Sequence, residues 1–299
     1  MHLALPFTLL AHAGQPDPTG YLFSNWTVQP GIVLGLFALI VWYVLTTGPM
    51  NRRRPGADQR PVTTGQRVAF FASILTFLVA VGPPLDDWSD HYLLLAHMVQ
   101  HMLLMLLAPA LFLVGVPGWV YDPLVRNRFT NRLGYWITRP LSALVIFGVT
   151  IVVWHIPSFY EAALYSDALH SAEHGMFFLT SLIAWWPILS QVPAWPRATP
   201  LVQCLYFFGL SVVTSIVGAF VTYAAPGLYR PYNTAPRVFG LSVENDQQLA
   251  GLLMWVVGGL IYLILITYTF LRWWGQQEAA DRAAGDAAAA ARNSSSPSA

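Results

Sequence analysis

Seven stretches of this chain are apolar for long enough to cross a lipid bilayer, and no other feature limits its fold so tightly. They run near residues 30–47, 67–83, 91–114, 139–155, 170–190, 201–223 and 247–272. A hydrocarbon layer ~30 Å thick needs ~20 helical residues to span it. Inside that layer every backbone N–H and C=O must be satisfied by the segment itself or by protein around it. The expected fold is therefore all-α, a polytopic membrane protein of seven transmembrane helices. With 56% hydrophobic and only 10% charged residues among 299, the chain falls outside the range of soluble domains. Proline and glycine punctuate the ends of the runs, as at Gly48-Pro49, Gly82-Pro83-Pro84 and Pro226-Gly227. Pro109 and Pro187 lie inside runs, where each should kink its helix and free a carbonyl.

The charges orient these segments. All 15 cations are arginine, and thirteen of them fall in the first, third and fifth connections and the C-terminal tail. The opposite side holds only Arg230 and Arg237, together with Asp86, Asp87, Asp90, Glu161, Asp167, Glu244 and Asp246. The positive-inside rule then places the N-terminus outside and the C-terminus in the cytoplasm. Three regions are expected: an extracytoplasmic tail over 1–29, a seven-helix domain over 30–274, and a disordered, Ala- and Ser-rich cytoplasmic tail over 275–299. Leu3 to Leu10 with Ala11-His12-Ala13 faintly resembles a signal peptide, but the basic n-region is missing, so an uncleaved tail is expected. Trp185-Trp186 and Trp273-Trp274 fit interfacial anchoring. A net charge of +1 makes no case for nucleic acid, and the single cysteine, Cys204, excludes an internal disulfide or CxxC motif.

With this orientation all eight histidines fall at or near the outer side. The third run, from His91 to Pro117, carries three of them with three methionines. On a regular helix at 100° per residue, His97, His101, Met105, Met98, His91 and Met102 span an arc of less than half the circumference. Imidazole with thioether suits copper, above all Cu(I), better than magnesium or calcium. Methionine also fills gaps in apolar cores, and histidine can serve as a hydrogen-bonding core residue. Two histidines one turn apart within a lipid-spanning segment weigh against that plainer role, because polar groups there are costly and usually functional. Cys204 lies at the cytoplasmic end of the sixth run, too far away to join the same site.

His155 closes the fourth run, and His170 and His174 open the fifth. Histidines at i and i+4 face the same way and can chelate one metal. Formally His170-Ser171-Ala172-Glu173-His174 is the H-x-x-E-H pattern of inverted zinc proteases, a weak signal without a soluble catalytic domain. Glu173 can orient an imidazole, take a proton, or be an interfacial carboxylate favoured near a helix N-terminus. Asn245 or Asp246 can cap the seventh helix, or offer a ligand at the same outer face. Small residues Ser211, Ser215, Ala219, Gly251, Gly258 and Gly259 should permit close packing of the last two helices.

Taken together these motifs resemble the CtaG-type cytochrome c oxidase assembly factors. The resemblance rests on His97-Met98-Val99-Gln100-His101-Met102-Leu103-Leu104 with Ala108-Pro109 and Gly115-Val116-Pro117. It rests further on Trp154-His155-Ile156-Pro157 with Tyr160, on Glu173-His174, and on Asp246-Gln247-Gln248-Leu249-Ala250-Gly251 with Met254-Trp255. It covers roughly residues 25–272. One departure is Ala110, where the family pattern has a second proline. The resemblance implies a non-enzymatic, multi-pass protein of the bacterial plasma (inner) membrane that helps copper reach a haem-copper oxidase. The implied partners are the oxidase catalytic subunit, extracytoplasmic copper chaperones and membrane lipid.

Three functions compete on the residues. The first is a copper-handling assembly factor, with Cu(I) held by His97, His101, His170 and His174 and supported by Met98, Met102, Met105, His155 or Glu173. The second is a seven-span zinc hydrolase using His170, His174 and a third histidine, with Glu173 as base; methionine has no use at such a site. The third is a haem-binding electron-transfer protein with axial histidines from facing helices.

Overall fold

The structure is a computed structural model that describes residues 30–53 and 60–294, with side chains described as far as residue 287. The proposed N-terminal tail, with His2 and His12, lies outside the described residues. Those that are described are helical, with no strand among them. We label the long helices α1 (Pro30–Thr47), α2 (Thr64–Ala80), α3 (Leu94–Gly115), α4 (Pro140–His155), α5 (Asp167–Leu189), α6 (Pro200–Tyr223) and α7 (from Val243). Among the described residues five helices are long and apolar enough to cross a membrane, or six if Arg128–Ile137 and α4, bent by 75°, form one span. α5 is not among the five. Its 23 residues are long enough, but Asp167, His170, Glu173 and His174 occupy its first turns.

The main core joins α3, α4, α5, α6 and α7 around Phe147, Ile151, Phe177, Phe207 and Val221. Outward-facing Leu75, Leu205, Phe208 and Ile216 are exposed, a distribution that suits an apolar surrounding. α6 and α7 approach closely where glycines remove side chains, as expected for Gly251. A Cβ at Gly218 would meet Met254 Cβ and Trp255 N, each at 2.9 Å.

α3 is where structure and expectation differ most. The helix does not begin at His91. Leu93 is extended, and His91 ends a separate short helix, Leu85–His91, with its Nδ1 3.1 Å from Asp87 O. His91 therefore leaves the arc of ligands. A π-helical turn at Leu103–Leu107 further breaks the regular 100° spacing before Met105. That wide turn precedes Pro109, which has no N–H to offer Met105 O, four residues back. The Trp185 indole donates to this freed carbonyl at 3.0 Å. Trp185 and the buried Trp186, which donates to Trp195 O at 3.3 Å, are thus internal fasteners and not the interfacial anchors expected.

Both ends of α3 are satisfied by side chains from elsewhere. At its start Asp246 of α7 accepts from Leu94 N and Leu95 N, both at 2.9 Å. At its end Gln191 donates to Leu113 O, Val114 O and Val116 O at 2.7, 3.1 and 3.3 Å. These are among the N–H and C=O groups that a helix leaves unpaired at its termini. The expected capping of α7 by Asn245 or Asp246 is corrected accordingly. Ser242 caps α7 by accepting from Asn245 N at 3.1 Å, and Asp246 caps α3 instead.

α7 contains a second π turn, Leu253–Val257, and then runs without a break to Ser294. The helix thus continues well past residue 275, where a disordered tail is expected. Alanine dominates that stretch and has the highest helix propensity, and Arg282 pairs with Glu278 one turn away.

Candidate metal centre

Four of the histidines reach one place in two i, i+4 pairs. His97 and His101 project from α3, and His170 and His174 from α5. His155 joins them from the last residue of α4, where Pro157 starts a new short helix, Pro157–Leu164. His97, His101 and Glu173 are 0% exposed, His170 1%, His155 2% and His174 4%. The rings of His97 and His101 stand 4.3 Å apart, His170 and His174 4.2 Å, and His97 and His170 5.4 Å.

Two trios of ligand atoms, each within 4.8 Å of one another, share His97: His97 with His170 and His174, and His97 with His101 and Glu173. Ligands at 2.0–2.1 Å from one tetrahedral ion lie about 3.3 Å apart. Either trio reaches that spacing by a closure of at most about 1.5 Å at its widest pair.

The hydrogen bonds fix which nitrogens carry lone pairs. His155 Nδ1 lies 2.7 Å from Ile151 O. A carbonyl only accepts, so Nδ1 carries the proton and Nε2 the lone pair. Tyr232 donates to Ser89 O at 2.7 Å, so its oxygen accepts from His97 Nδ1, 3.1 Å away. His97 Nε2 is then the lone-pair nitrogen, and it faces His101 Nε2 at 2.7 Å. Such outer partners set the tautomer and orientation of a metal-ligating histidine.

Several buried atoms around this point have no hydrogen-bond partner: both carboxylate oxygens of Glu173, His101 Nδ1, His155 Nε2 and His174 Nε2. Glu173 Oε1 lies 3.7 Å from His101 Nε2, which already faces His97 Nε2. A buried carboxylate without hydrogen bonds costs several kcal/mol unless a cation compensates it. The donor set of imidazoles and one carboxylate fits a borderline transition-metal ion. Glu173 is deep in the bundle, so it is no solvent-facing interfacial carboxylate.

The methionines are placed differently. Met98 is fully buried in the main core. Met102 and Met105 line a small pocket with Met254, and no histidine lines it.

Sequence reasoning missed the shell around the histidines. Tyr160 and Tyr232 hydroxyls lie 3.2 Å apart, Tyr160 stacks on Tyr229 at 3.9 Å, and Tyr229 donates to His155 O at 2.9 Å. Tyr232 sits on a short helix, Arg230–Thr234. Burial raises its phenol well above the ordinary range, so it acts as a neutral hydroxyl. Asp90 Oδ1 is 3.6 Å from His170 Nε2, and Gln100 donates to Asp86 at 2.7 Å. The tyrosine of Trp154-His155-Ile156-Pro157 with Tyr160 was the one available signal; Tyr232 and Asp90 had none.

The model of the cytochrome c oxidase caa3 assembly factor family (Caa3_CtaG) matches residues 41–276. This chain belongs to that family. The match takes in α2 to α6, the last seven residues of α1 and α7 as far as residue 276, and so every residue of the histidine cluster. No curated protein and no solved structure matches the chain. Membership ties the protein to cytochrome c oxidase and to a membrane through which several of its apolar helices pass.

Proposed function

We propose that this assembly factor carries copper, as Cu(I), in transit to the oxidase. Copper is cargo here and not a resident cofactor. His97, His101, His170 and His174 are its ligands, with His155 and Glu173 completing the set as the ion arrives and leaves. One observation supports this reading above the rest: Glu173, fully buried with both oxygens unbonded, shares the cluster with His155 Nε2 and His174 Nε2, which are also buried and unbonded. Such a group is costly when empty and is relieved by a cation.

In the same reading α5 is a further span, completing seven, with the N-terminus outside and the C-terminus inside. The arginine asymmetry supports this, since cytoplasmic connections hold excess cations. The histidines then lie in the outer half of the plasma membrane. The copper centre of the oxidase catalytic subunit, ligated by histidines at similar depth in the family's client, can take the ion sideways. The charge then never crosses bare hydrocarbon. Extracytoplasmic chaperones supply the ion from outside. The role is one of handling and not catalysis: six deeply buried groups suit holding an ion better than admitting a substrate with water.

The test is copper and haem per oxidase subunit, purified from strains carrying His174→Ala or His97→Ala with His101→Ala. Delivery predicts subunits that are present and haem-loaded but short of copper, partly rescued by added copper. A normal copper-to-haem ratio, with every protein stably expressed, would sink it. Metal analysis and a visible spectrum of the purified factor separate this reading from zinc hydrolase and haem protein.

A further inference from the structure

Met102, Met105 and Met254 come from two helices that each widen into a π turn beside a shared pocket. Met105 lies in the turn Leu103–Leu107, with Met102 just before it, and Met254 lies in the turn Leu253–Val257. π turns are rare, cost hydrogen-bond regularity, and recur at functional sites. Here two of them border one cavity of about 10 Å³, room for one small ion and little else.

The lining is chemically selective. Besides three thioethers it includes Ile151, Thr214 and Tyr262. The Thr214 hydroxyl is already engaged with Leu210 O at 3.0 Å and Ser211 O at 3.1 Å. No carboxylate or imidazole lines the cavity. Gly258 also lines the cavity, and a Cβ added there would be in ordinary contact with Met102, 3.6 Å from Cε and 4.0 Å from Sδ. Neutral, soft thioethers suit Cu(I) and reject hard divalent ions, which need oxygen. Methionine as mere filler would explain one sulfur at a void. It does not explain three from two distorted helices.

The cavity stands directly beyond the histidines on the same helices. Met105 is four residues past His101, about 6 Å along the axis. Ile151, which lines the cavity, is also the residue whose carbonyl fixes the His155 ring at 2.7 Å.

We propose that Met102, Met105 and Met254 form a second copper site, a three-thioether Cu(I) station one turn deeper than the histidine cluster. It rests on the copper reading of that cluster and extends it. An ion passing between the two exchanges imidazole for thioether ligands with no change in oxidation state.

The experiment is anaerobic Cu(I) titration of the full-length protein in detergent against a chromophoric competitor, with copper-edge X-ray absorption of each loaded form. Wild type should take two equivalents and show both nitrogen and sulfur neighbours. Met102→Leu with Met105→Leu and Met254→Leu, close in volume to the original, should lose one equivalent and all sulfur scattering. His97→Ala with His101→Ala should keep the sulfur signal and lose nitrogen. Selenomethionine-labelled wild type provides a check needing no substitution, since copper should then show selenium neighbours. Nitrogen neighbours without sulfur or selenium in wild type would overturn the methionine site and leave the histidine reading standing. No copper binding at all would overturn both.

Discussion

Tyr232 holds His97 in one tautomer: its oxygen sits 3.1 Å from Nδ1 while its own proton is given to Ser89 O at 2.7 Å. The ring nitrogen facing the cluster is thereby the one with a lone pair. A residue from the short helix Arg230–Thr234 thus decides which nitrogen of a buried histidine presents its lone pair to the cluster.

Tyr232→Phe removes that restraint without altering volume. We expect Cu(I) affinity to fall about 10- to 100-fold, the usual cost of losing an outer-shell partner, with helical content unchanged. Competitive titration by a Cu(I) chelator measures it, and unaltered affinity would show that the phenol has no part in binding.

Glu173→Gln separates a ligand from a structural carboxylate. Without metal the neutral amide should be tolerated as well as the acid or better, because a buried unpaired charge is removed. Copper retention should drop. Thermal unfolding with and without Cu(I) reports both: the variant should match or exceed wild type without metal and gain less on loading. A variant less stable than wild type in the metal-free form would contradict the assignment.

Asp246→Ala strips the cap from the start of α3. Loss of an N-cap costs about 0.5–2 kcal/mol, and two amides lose their acceptor. A lower apparent Tm in detergent is expected, with Asp246→Asn intermediate. Ser242→Ala, which uncaps α7 alone, should leave Cu(I) affinity near wild type, whereas Asp246→Ala should weaken it by displacing the His97 turn.

For sidedness, a reporter active only outside the cytoplasm should work when fused after Asp87 or Asp167 and fail after Arg128. Activity after Arg128 would invert the proposed orientation.

The parts of this molecule that sequence made legible are those governed by local spacing. Helix positions followed from apolar length, and the pairing of His97 with His101 and of His170 with His174 followed from the 3.6-residue turn. What escaped depended on contacts between distant segments. Asp-His-Tyr-Leu-Leu-Leu reads as an unbroken approach to α3, yet the chain breaks at Leu93 because Asp246 supplies the cap that lets a new helix start. The π turn at Leu103–Leu107 could not be seen either, since Pro109 predicts a freed carbonyl but not that Trp185 would receive it. Tyr232 carried no periodic signal, lying in a connection between helices. Trp185 and Trp186 looked like interfacial anchors because aromatic pairs at helix ends usually are; burial against Trp195 overrode that tendency.

The cap on α3 also sets an order of assembly. Leu94 and Asp246 are 152 positions apart, and a nascent chain emerges N-terminus first. Every described histidine is therefore made before the carboxylate that orients the start of the helix bearing His97 and His101. The histidine cluster is a late product of biogenesis, closed only when α7 has entered the bundle. A chain ended at residue 242 would keep all eight histidines and still lack the residue that brings two of them into line.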